Sequence, residues 1–254
     1  MGKYAVTGAA SGIGAAIANQ LKSQGNEVIT VDLRGADINA DLSSDSGRKE
    51  AIAAILKAAP DGLDGFVPCA GVGPQVPAIT LIPKINYFGT VDMVEALKDA
   101  LVKRKGSVVL ISSNSATLME YNKDYTSALQ AHDEAKACEI IASLDGQTAY
   151  GGSKFAVACW MRKNGADYAR VGVRMNALAP GYTETALTKA GKDDPVYGPS
   201  IKAFVDSIPI GRPGLPEDQA NAALFLLSPQ ASFISGVVLF TDGGHDALFR
   251  PDRF

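Results

Sequence analysis

A glycine-rich turn near the N-terminus constrains the fold of this chain more than any other feature. The turn follows an apolar run and reads Thr7-Gly8-Ala9-Ala10-Ser11-Gly12-Ile13-Gly14. Glycines at this spacing let the chain turn tightly and bring its backbone close to a pyrophosphate at a helix N-terminus. Ile13, Ile17 and Leu21 then predict an amphipathic helix, which Gly25 is suited to end. The segment therefore predicts a β-α-β unit that binds a dinucleotide.

The alternation of strands and helices continues along the chain. Runs rich in Val and Ile recur at Tyr4–Thr7, Glu27–Asp32, Gly65–Ala70, Ser107–Ser112, Val173–Ala179 and Val237–Thr241. Several of them are apolar almost throughout, as expected of strands that helices cover on both faces of a parallel sheet. We expect an α/β Rossmann fold with a doubly wound parallel sheet of about seven strands flanked by helices. No linker divides the 254 residues, so a single domain over residues 1–254 is expected.

Composition and charge argue against several classes of protein. The net charge is −3 and the chain has no basic run, so a nucleic-acid partner is not expected. No apolar stretch reaches the roughly 20 residues that span a bilayer, and no signal peptide precedes the first strand, which predicts a soluble, cytoplasmic protein without a membrane partner. The three cysteines lack the spacing of a zinc site. No metal is expected, because His132 and His245 are interpreted as a helix-surface residue and a C-terminal-tail residue.

An acidic residue at the end of the second strand predicts which nicotinamide cofactor the chain binds. Asp32 follows the glycines by about 20 residues, where a carboxylate accepts hydrogen bonds from the ribose hydroxyls of NAD. The 2′-phosphate of NADP would meet the same carboxylate as a like charge. NAD is therefore the predicted cofactor and NADP is disfavoured. In the alternative interpretation, Asp32 is a turn residue and Arg34 binds a phosphate.

Tyr150 and Lys154 are the main catalytic candidates. They are four residues apart, so a helix places both side chains on one face. Reduction of a ketone requires a proton donor for the developing alkoxide, and the reverse reaction requires a base. A nearby cation favours a phenolate, so Lys154, aided by the positive nicotinamide ring of the oxidised cofactor, is expected to lower the pKa of Tyr150. Ser112 and Ser113 end the preceding strand, at the sheet edge where ligands bind, and the residues alone do not separate the two serines.

Together these motifs resemble the short-chain dehydrogenase/reductase family. The Thr-Gly-x-x-x-Gly-x-Gly turn, the Tyr-x-x-x-Lys pair and a late Asp-Gly-Gly occur in family order from Thr7 to Gly244. The resemblance implies an alcohol dehydrogenase or ketone reductase in which Tyr150 is the general acid and base. It implies that Ser113 binds the substrate oxygen and that Asn86 holds a water through which Lys154 exchanges protons. The implied catalytic set is Asn86, Ser113, Tyr150 and Lys154.

The resemblance also implies which residues contact the cofactor. Asp41 and Leu42 match the family's adenine contacts, and Thr183 matches the residue that holds the carboxamide and presents the B face of the nicotinamide. Cys69 departs from the family pattern, which usually has Asn there, and its side chain is interpreted as buried strand packing. The implied cofactor-binding set is Gly8, Ser11, Gly12, Ile13, Gly14, Asp32, Leu33, Asp41, Leu42, Cys69, Ala70, Gly71, Tyr150, Lys154, Pro180, Gly181, Thr183 and Thr185.

Two segments interrupt the regular alternation. Residues 114–148 form an insertion between Ser113 and Tyr150, in which Ser127–Ser143 predicts one helix of about four turns. Residues 182–216 are rich in Gly, Pro and apolar side chains and predict a substrate-binding loop or lid. Together with the tail segment Asp242–Ala247, the insertion resembles the bacterial 3α-hydroxysteroid dehydrogenase/carbonyl reductase subgroup.

The predicted substrate is a hydrophobic cyclic secondary alcohol or its ketone. A hydroxysteroid and a monoterpenol, such as an isopiperitenol- or carveol-type alcohol, both fit an apolar loop. The alternatives are a 3-oxoacyl-type or general carbonyl reductase, and a non-catalytic NAD-binding regulator. The predicted substrate-binding set is Ser113, Tyr150, Tyr182, Leu187, Tyr197, Ile201 and Phe204.

The insertion also bears on self-association. Members of the family associate through the long helix that carries Tyr150 and Lys154. An insertion just before this helix would cover that surface. A homo-oligomer is expected, either a dimer or, in the alternative, a tetramer.

Overall fold

A parallel sheet forms the centre of the molecule. The computed structural model describes residues 1–118, 121–186, 188 and 198–253, and its sheet has the strand order β3-β2-β1-β4-β5-β6-β7. The order reverses between β1 and β4, which creates the crevice where doubly wound sheets bind ligands. The seven strands of these described ranges are β1 Lys3–Thr7, β2 Glu27–Asp32, β3 Ile38–Asn39, β4 Gly65–Pro68, β5 Ser107–Ile111, β6 Arg174–Pro180 and β7 Val238–Thr241.

The predicted fold class is confirmed, with one strand that the sequence did not indicate. That strand is β3, which adds to the sheet edge by pairing Val31 with Ile38 and Asp32 with Asn39. Two residues are too few to show a hydrophobic periodicity in the sequence. The strand forms because it pairs with β2. The other six strands match the predicted runs to within two residues at each end.

Helices cover both faces of the sheet. Ile17 of α1 and Leu226 of α10 belong to the core on one face, while Val91 of α3 and Met161 of α8 belong to the core on the other. Such two-sided burial explains the continuous apolar runs of β4 and β5. The helices are α1 Gly12–Ser23, α2 Asp45–Ala58, α3 Gly89–Ala96, α4 Lys98–Arg104, α5 Ser115–Leu118, α6 Lys123–Gln130, α7 Glu134–Ile141, α8 Gly146–Arg170, α9 Gly198–Asp206, α10 Pro216–Leu227 and α11 His245–Phe249.

Within the insertion, two helices overlap the segment where one helix was predicted. The prediction of a single helix over Ser127–Ser143 is wrong, because α6 ends at Gln130 and α7 begins at Glu134. His132, between them, has a φ of 59°, a left-handed conformation that a right-handed helix cannot include. Asp133 then starts α7 by accepting a hydrogen bond from the backbone amide of Lys136 at 2.9 Å. His132 is therefore a linker residue and not the helix-surface residue that was predicted.

A cluster of charged side chains fixes the insertion to the sheet domain. Arg48 of α2 is buried and lies 2.8 Å from Asp92 of α3 and 2.7 Å from Glu134 of α7. His132 approaches the second oxygen of Asp92 at 3.0 Å. Because Arg48 joins carboxylates from the domain and from the insertion, the two parts are tied by charge as well as by packing.

The insertion also packs against the helix that carries Tyr150 and Lys154. Tyr125 of α6 is fully buried, and its hydroxyl donates to the carbonyl oxygen of Ala149 at 3.3 Å. A Cβ at Gly152 would lie 2.9 Å from the Tyr125 ring, so α6 approaches α8 closely between the two candidate residues. The expected homo-oligomer, a dimer or in the alternative a tetramer, stays a prediction.

Part of the predicted lid is helical. Ile201 and Phe204 lie on α9, whereas Leu187 and Tyr197 lie outside the described residues. Among the helices that the structure describes, none combines the length and the hydropathy required to cross a membrane.

Candidate active site

The glycine turn lies at the carboxyl end of β1, at the switch point of the sheet. Gly8 has a φ of 65°, and a Cβ there would lie 2.8 Å from the backbone of Ala70, at the end of β4. A Cβ at Gly14 would overlap the carbonyl oxygen of Gly8. Only glycine therefore lets α1 begin this close to the turn, and the first amides of α1 are left facing the crevice.

Asp32 joins this turn to the end of β2. Its carboxylate accepts hydrogen bonds from the backbone amides of Ala10 at 2.9 Å and of Leu33 at 2.7 Å. The side chain is only partly buried, so its oxygens keep room for a further donor. The residue is held at the groove by the backbone on both sides, as a ribose-binding carboxylate requires.

One groove contains the entire predicted cofactor set. The cavity has a volume of ≈ 520 Å³ and runs from the glycine turn, past the end of β4, to Tyr150 and Thr185. All 18 residues of that set line it, and Ala40, Val72, Ile85, Ile111, Ala186 and Thr188 are additional lining residues that the motifs did not indicate. The glycine turn and Asp32 at one end of the groove and the buried Lys154 cation at the other are the kinds of group that can hold a dinucleotide.

Cys69 lies in this groove and not inside a strand. Strand β4 ends at Pro68, one residue earlier, so Cys69 does not belong to the strand, while its predicted packing against the core is confirmed. Its side chain is partly buried and packs against the apolar core below the groove. Burial raises the pKa of the Cys69 thiol to about 12, so the thiol is protonated near neutral pH.

Two hydrogen bonds dock helix α8 onto the end of β5. The Ser112 hydroxyl donates to the carbonyl oxygen of Lys154 at 2.9 Å, and the Lys154 ammonium donates to the carbonyl oxygen of Ile111 at 2.9 Å. Asp145 fixes the start of the helix by accepting from the amides of Gln147 and Thr148. Ser112 is committed to the backbone by this contact, which favours Ser113 as the serine that binds substrate.

Tyr150 faces Ser113 across the site. Burial raises the pKa of the Tyr150 phenol, and a hydrogen bond with Ser113 acts in the opposite direction. The expectation that Lys154, aided by the positive nicotinamide ring of the oxidised cofactor, lowers the pKa of Tyr150 stays a prediction. The Lys154 ammonium is 5.8 Å from the centre of the Tyr150 ring.

Lys154 is an almost fully buried cation. Its side chain is 6% exposed, and burial lowers its pKa to about 8. Asn86, on a π-helical turn over Pro83–Phe88, lies close to it, because a Cβ at Gly71 would lie 3.2 Å from the Asn86 amide oxygen and 3.7 Å from the Lys154 nitrogen. Asn86 bonds both backbone groups of Val72, at 2.8 and 3.0 Å, and so fixes the loop after β4.

Thr183 is held at the opposite side of the groove. Its hydroxyl donates to the carbonyl oxygen of Gly181 at 3.1 Å and accepts from the Gln219 amide at 3.2 Å. Thr188 donates to the Thr183 carbonyl oxygen at 2.7 Å, which orders the first turn of the predicted lid. Pro180, Gly181 and Thr183 line the groove together with Tyr150.

A second, larger cavity opens on the other side of Tyr150. Its volume is ≈ 960 Å³, and its walls include Tyr182, Ile201 and Phe204 from the predicted substrate set. Tyr150 and Ser113 line both this cavity and the cofactor groove, so the two spaces meet at these side chains. The C-terminal segment Phe249–Arg253 forms a further wall of this cavity, and the sequence motifs did not indicate it.

His245 lies inside this part of the molecule. The prediction that it is a C-terminal-tail residue is wrong, since its side chain is fully buried at the start of α11. The turn Asp242–Gly244 directs the chain back across the sheet edge, because the Asp242 carboxylate accepts from the amides of Gly244 and Asp246. The tail motif was visible in the sequence, but its burial depends on packing against α9.

Known proteins match this arrangement along the whole chain. A short chain dehydrogenase family model matches residues 3–131, and an enoyl-(acyl carrier protein) reductase model matches residues 136–246. The 3-alpha-hydroxysteroid dehydrogenase/carbonyl reductase of Comamonas testosteroni is 41% identical over 98% of both chains. The chain is a short-chain dehydrogenase/reductase. It is an NAD(P)-dependent oxidoreductase of the alcohol dehydrogenase and ketone reductase type.

Two further comparisons support this membership. The crystal structure of the 3-alpha-hydroxysteroid dehydrogenase from Pseudomonas sp. B-0831, complexed with NADH, superposes with a TM-score of 0.94 at 44% identity and covers 99% of this chain and 100% of that chain. The cis-4-hydroxycyclohexanecarboxylate dehydrogenase of Sinomonas cyclohexanicum is 31% identical over 96% of both chains. This short-chain dehydrogenase/reductase therefore resembles hydroxysteroid dehydrogenases in sequence and in structure.

Burial of Lys154 predicts a measurable dependence of stability on pH. Because its folded pKa of about 8 is below the ordinary value near 10.4, the unfolded chain binds more protons between these pH values, and the wild type gains stability as pH rises through that window. At pH 7 the burial cost is fully present, so Lys154→Met is expected to raise the free energy of unfolding by roughly 1–2 kcal/mol after loss of the Ile111 hydrogen bond. Urea unfolding of the cofactor-free protein at pH 7 and pH 10 measures this.

Lys163→Met is the matched control, because Lys163 lies on an exposed position of the same helix. The control should unfold like the wild type at both pH values. A Lys154→Met variant that is less stable than the wild type by the same amount at pH 7 and pH 10 would contradict the burial cost.

Proposed function

We propose that this protein interconverts a hydrophobic cyclic secondary alcohol and its ketone by hydride transfer with NAD. The observation that carries the proposal is the meeting of the cofactor groove and the larger cavity at Ser113 and Tyr150. A reacting carbon at this junction would lie between the nicotinamide end of the groove and a proton donor. Family membership supports the same reaction class.

The side chains suit the two directions of the reaction. NAD supplies the hydride acceptor and NADH the hydride donor. In ketone reduction Tyr150 donates a proton to the developing alkoxide, and in alcohol oxidation it accepts the hydroxyl proton. Ser113, which lines the same junction as Tyr150, binds the same substrate oxygen and orients it.

Lys154 and Asn86 support this proton transfer. A cofactor with a positive nicotinamide ring, together with the Lys154 cation, would oppose the effect of burial and lower the pKa of Tyr150. Lys154 would also bind the nicotinamide ribose, since its ammonium lies in the groove wall. Asn86, next to Lys154 and buried, would place the water that returns protons to solvent.

Asp32 supports NAD as the cofactor in preference to NADP. Its carboxylate is held at the ribose end of the groove, where a 2′-phosphate would be repelled. The related hydroxysteroid dehydrogenase of Pseudomonas sp. B-0831 is complexed with NADH.

The larger cavity supports a cyclic, apolar substrate. Phe204, Ile201, Tyr182 and Leu118 contribute apolar surface, and ≈ 960 Å³ is at the upper end of the usual range for small-molecule sites. We propose a hydroxysteroid or a monoterpenol of the isopiperitenol or carveol type. Two relatives support rings as substrates, one named for hydroxysteroids and one for a hydroxycyclohexane carboxylate.

Replacing Tyr150 with Phe tests the proposed chemistry. The variant lacks the proton donor, so we expect kcat to fall by about 10³-fold or more while NADH binding changes little. NADH formation from steroid, monoterpene and linear secondary alcohols measures turnover, and NADH fluorescence measures binding.

Tyr121→Phe is the matched control, since it removes a phenol hydroxyl from a side chain that lines neither the cofactor groove nor the larger cavity. Turnover by Tyr150→Phe equal to that of the wild type would refute the mechanism. Tight NADH binding by the wild type without turnover of any alcohol would favour a regulator, and equal turnover of linear and cyclic substrates would favour a general carbonyl reductase.

Replacing Asp32 with Asn tests the cofactor preference. Asn keeps the size of the side chain and removes the charge, so the ratio of kcat/KM for NAD to that for NADP is expected to fall by about tenfold or more. Steady-state kinetics with both cofactors gives the ratio. Asp61→Asn, at an exposed position outside the groove, should leave it unchanged, and an unaltered ratio in Asp32→Asn would contradict the assignment.

A further inference from the structure

The residues that follow β7 have no part in the chemistry proposed above, yet they are buried beside the substrate cavity. His245 is fully buried and Asp246 is 6% exposed, which is unusual for charged or titratable residues near a chain end. Each contacts a different element of the cavity wall. Their contacts therefore bear on the shape of the cavity.

His245 is hydrogen-bonded to Ser207, the residue that follows the C-terminal end of α9. Its Nε2 lies 2.8 Å from the Ser207 hydroxyl oxygen, and that hydroxyl donates to the carbonyl oxygen of Phe204 at 2.8 Å. Because the hydroxyl proton is used by Phe204, the imidazole Nε2–H is the donor in the first bond. Nδ1 has no hydrogen-bond partner among the described residues, and burial lowers the pKa of His245. A neutral ring in a single orientation follows.

The same imidazole lies between two aromatic rings that line the substrate cavity. Its centre is 4.3 Å from that of Phe204 on α9 and 5.0 Å from that of Phe249 on α11. Both phenylalanines are cavity residues. Because interiors are close-packed, the imidazole sets the separation of these two rings.

Asp246 binds a second wall of the cavity. One carboxylate oxygen accepts from the Thr117 hydroxyl at 2.7 Å and from Arg250 Nε at 2.9 Å, and the other accepts from Arg250 Nη2 at 2.9 Å. Thr117 belongs to α5, which begins two residues after Ser113. Burial acts to raise the pKa of Asp246, but hydrogen bonds from Arg250 and Thr117 lower it, so the ion pair is charged near neutral pH.

We propose that His245 and Asp246 are positioning residues that hold two walls of the substrate cavity, α9 and α5, at a fixed distance from Tyr150. The proposal rests on the proposed function, because it assigns substrate selectivity to that same cavity. His245 fixes Phe204 and Phe249, and Asp246 fixes Thr117 and Arg250. The pair selects for large ring systems, which need all of these walls in place.

Fixing a cavity wall has its largest effect on KM for a substrate that contacts that wall. A polycyclic alcohol fills more of the cavity than a single ring does, so loosened walls raise its KM more. Loss of one hydrogen bond and its packing is expected to raise KM for the large substrate about tenfold and for the small one less than about twofold. The cofactor groove lacks these four wall residues, so NADH affinity should not change.

The test compares three single variants with androsterone and cyclohexanol as probes. His245→Phe keeps a ring but loses the Nε2 bond, Ser207→Ala removes the same bond from its other partner, and Asp246→Asn weakens the contacts to α5 and Arg250. The double variant His245→Phe/Ser207→Ala should be no worse than either single variant, because both remove one interaction. Leu248→Ala, an exposed position on the same helix, is the control.

Hydrogen–deuterium exchange of the same proteins gives a readout that is independent of turnover. We expect faster exchange in 198–206 for His245→Phe and in 115–118 for Asp246→Asn, with no change in either segment for Leu248→Ala. A general loss of stability would instead accelerate exchange throughout the sheet.

The outcomes separate the two hypotheses. If the wild type turns over neither probe nor any cyclic alcohol, the proposed function fails, and the exchange pattern alone decides whether the two residues hold these walls. If the wild type is active and the variants lose the two probes equally, or keep wild-type KM for both, the positioning role is overturned. Selective loss of the large substrate with local exchange in the named segments supports it.

Discussion

The docking of α8 onto the end of β5 is the contact on which the site depends most directly. Ser112 holds the Lys154 carbonyl and Lys154 holds the Ile111 carbonyl, each at 2.9 Å. Because both bonds join one turn of the helix to the last residues of one strand, they bring Tyr150 to Ser113 and to the junction of the two cavities. The insertion reinforces this contact from behind, since Tyr125 packs on Gly152 of the same turn.

The same docking buries Lys154, which reduces the stability of the fold. Lys154 is buried beside a thiol and a phenol that are both protonated near neutral pH, and among the described residues its one hydrogen-bond acceptor is the carbonyl oxygen of Ile111. Burial thus lowers the pKa of Lys154 and raises that of Tyr150, so the two groups are shifted towards each other. Such pKa shifts favour proton transfer but reduce the stability of the fold.

The sequence predicted those features that local spacing determines. The glycine turn, Asp32 and the Tyr150–Lys154 pair are set by a few consecutive residues, and all of them line one groove. Features that depend on contacts between distant segments were missed: β3 exists through its pairing with β2, and the break at His132 is accompanied by a contact with Asp92. The burial of His245 likewise depends on packing against α9, which a local sequence pattern does not indicate.

The central claim is direct hydride transfer between the nicotinamide and the ring carbon of the substrate at the junction beside Tyr150. The most direct measurement is reduction of a cyclic ketone with NADH that carries deuterium on the B face of C4. The alcohol is expected to carry one deuterium on the carbinol carbon, and to carry none after use of A-face-labelled NADH. An alcohol without deuterium from either cofactor, or labelled from the A face, would contradict it.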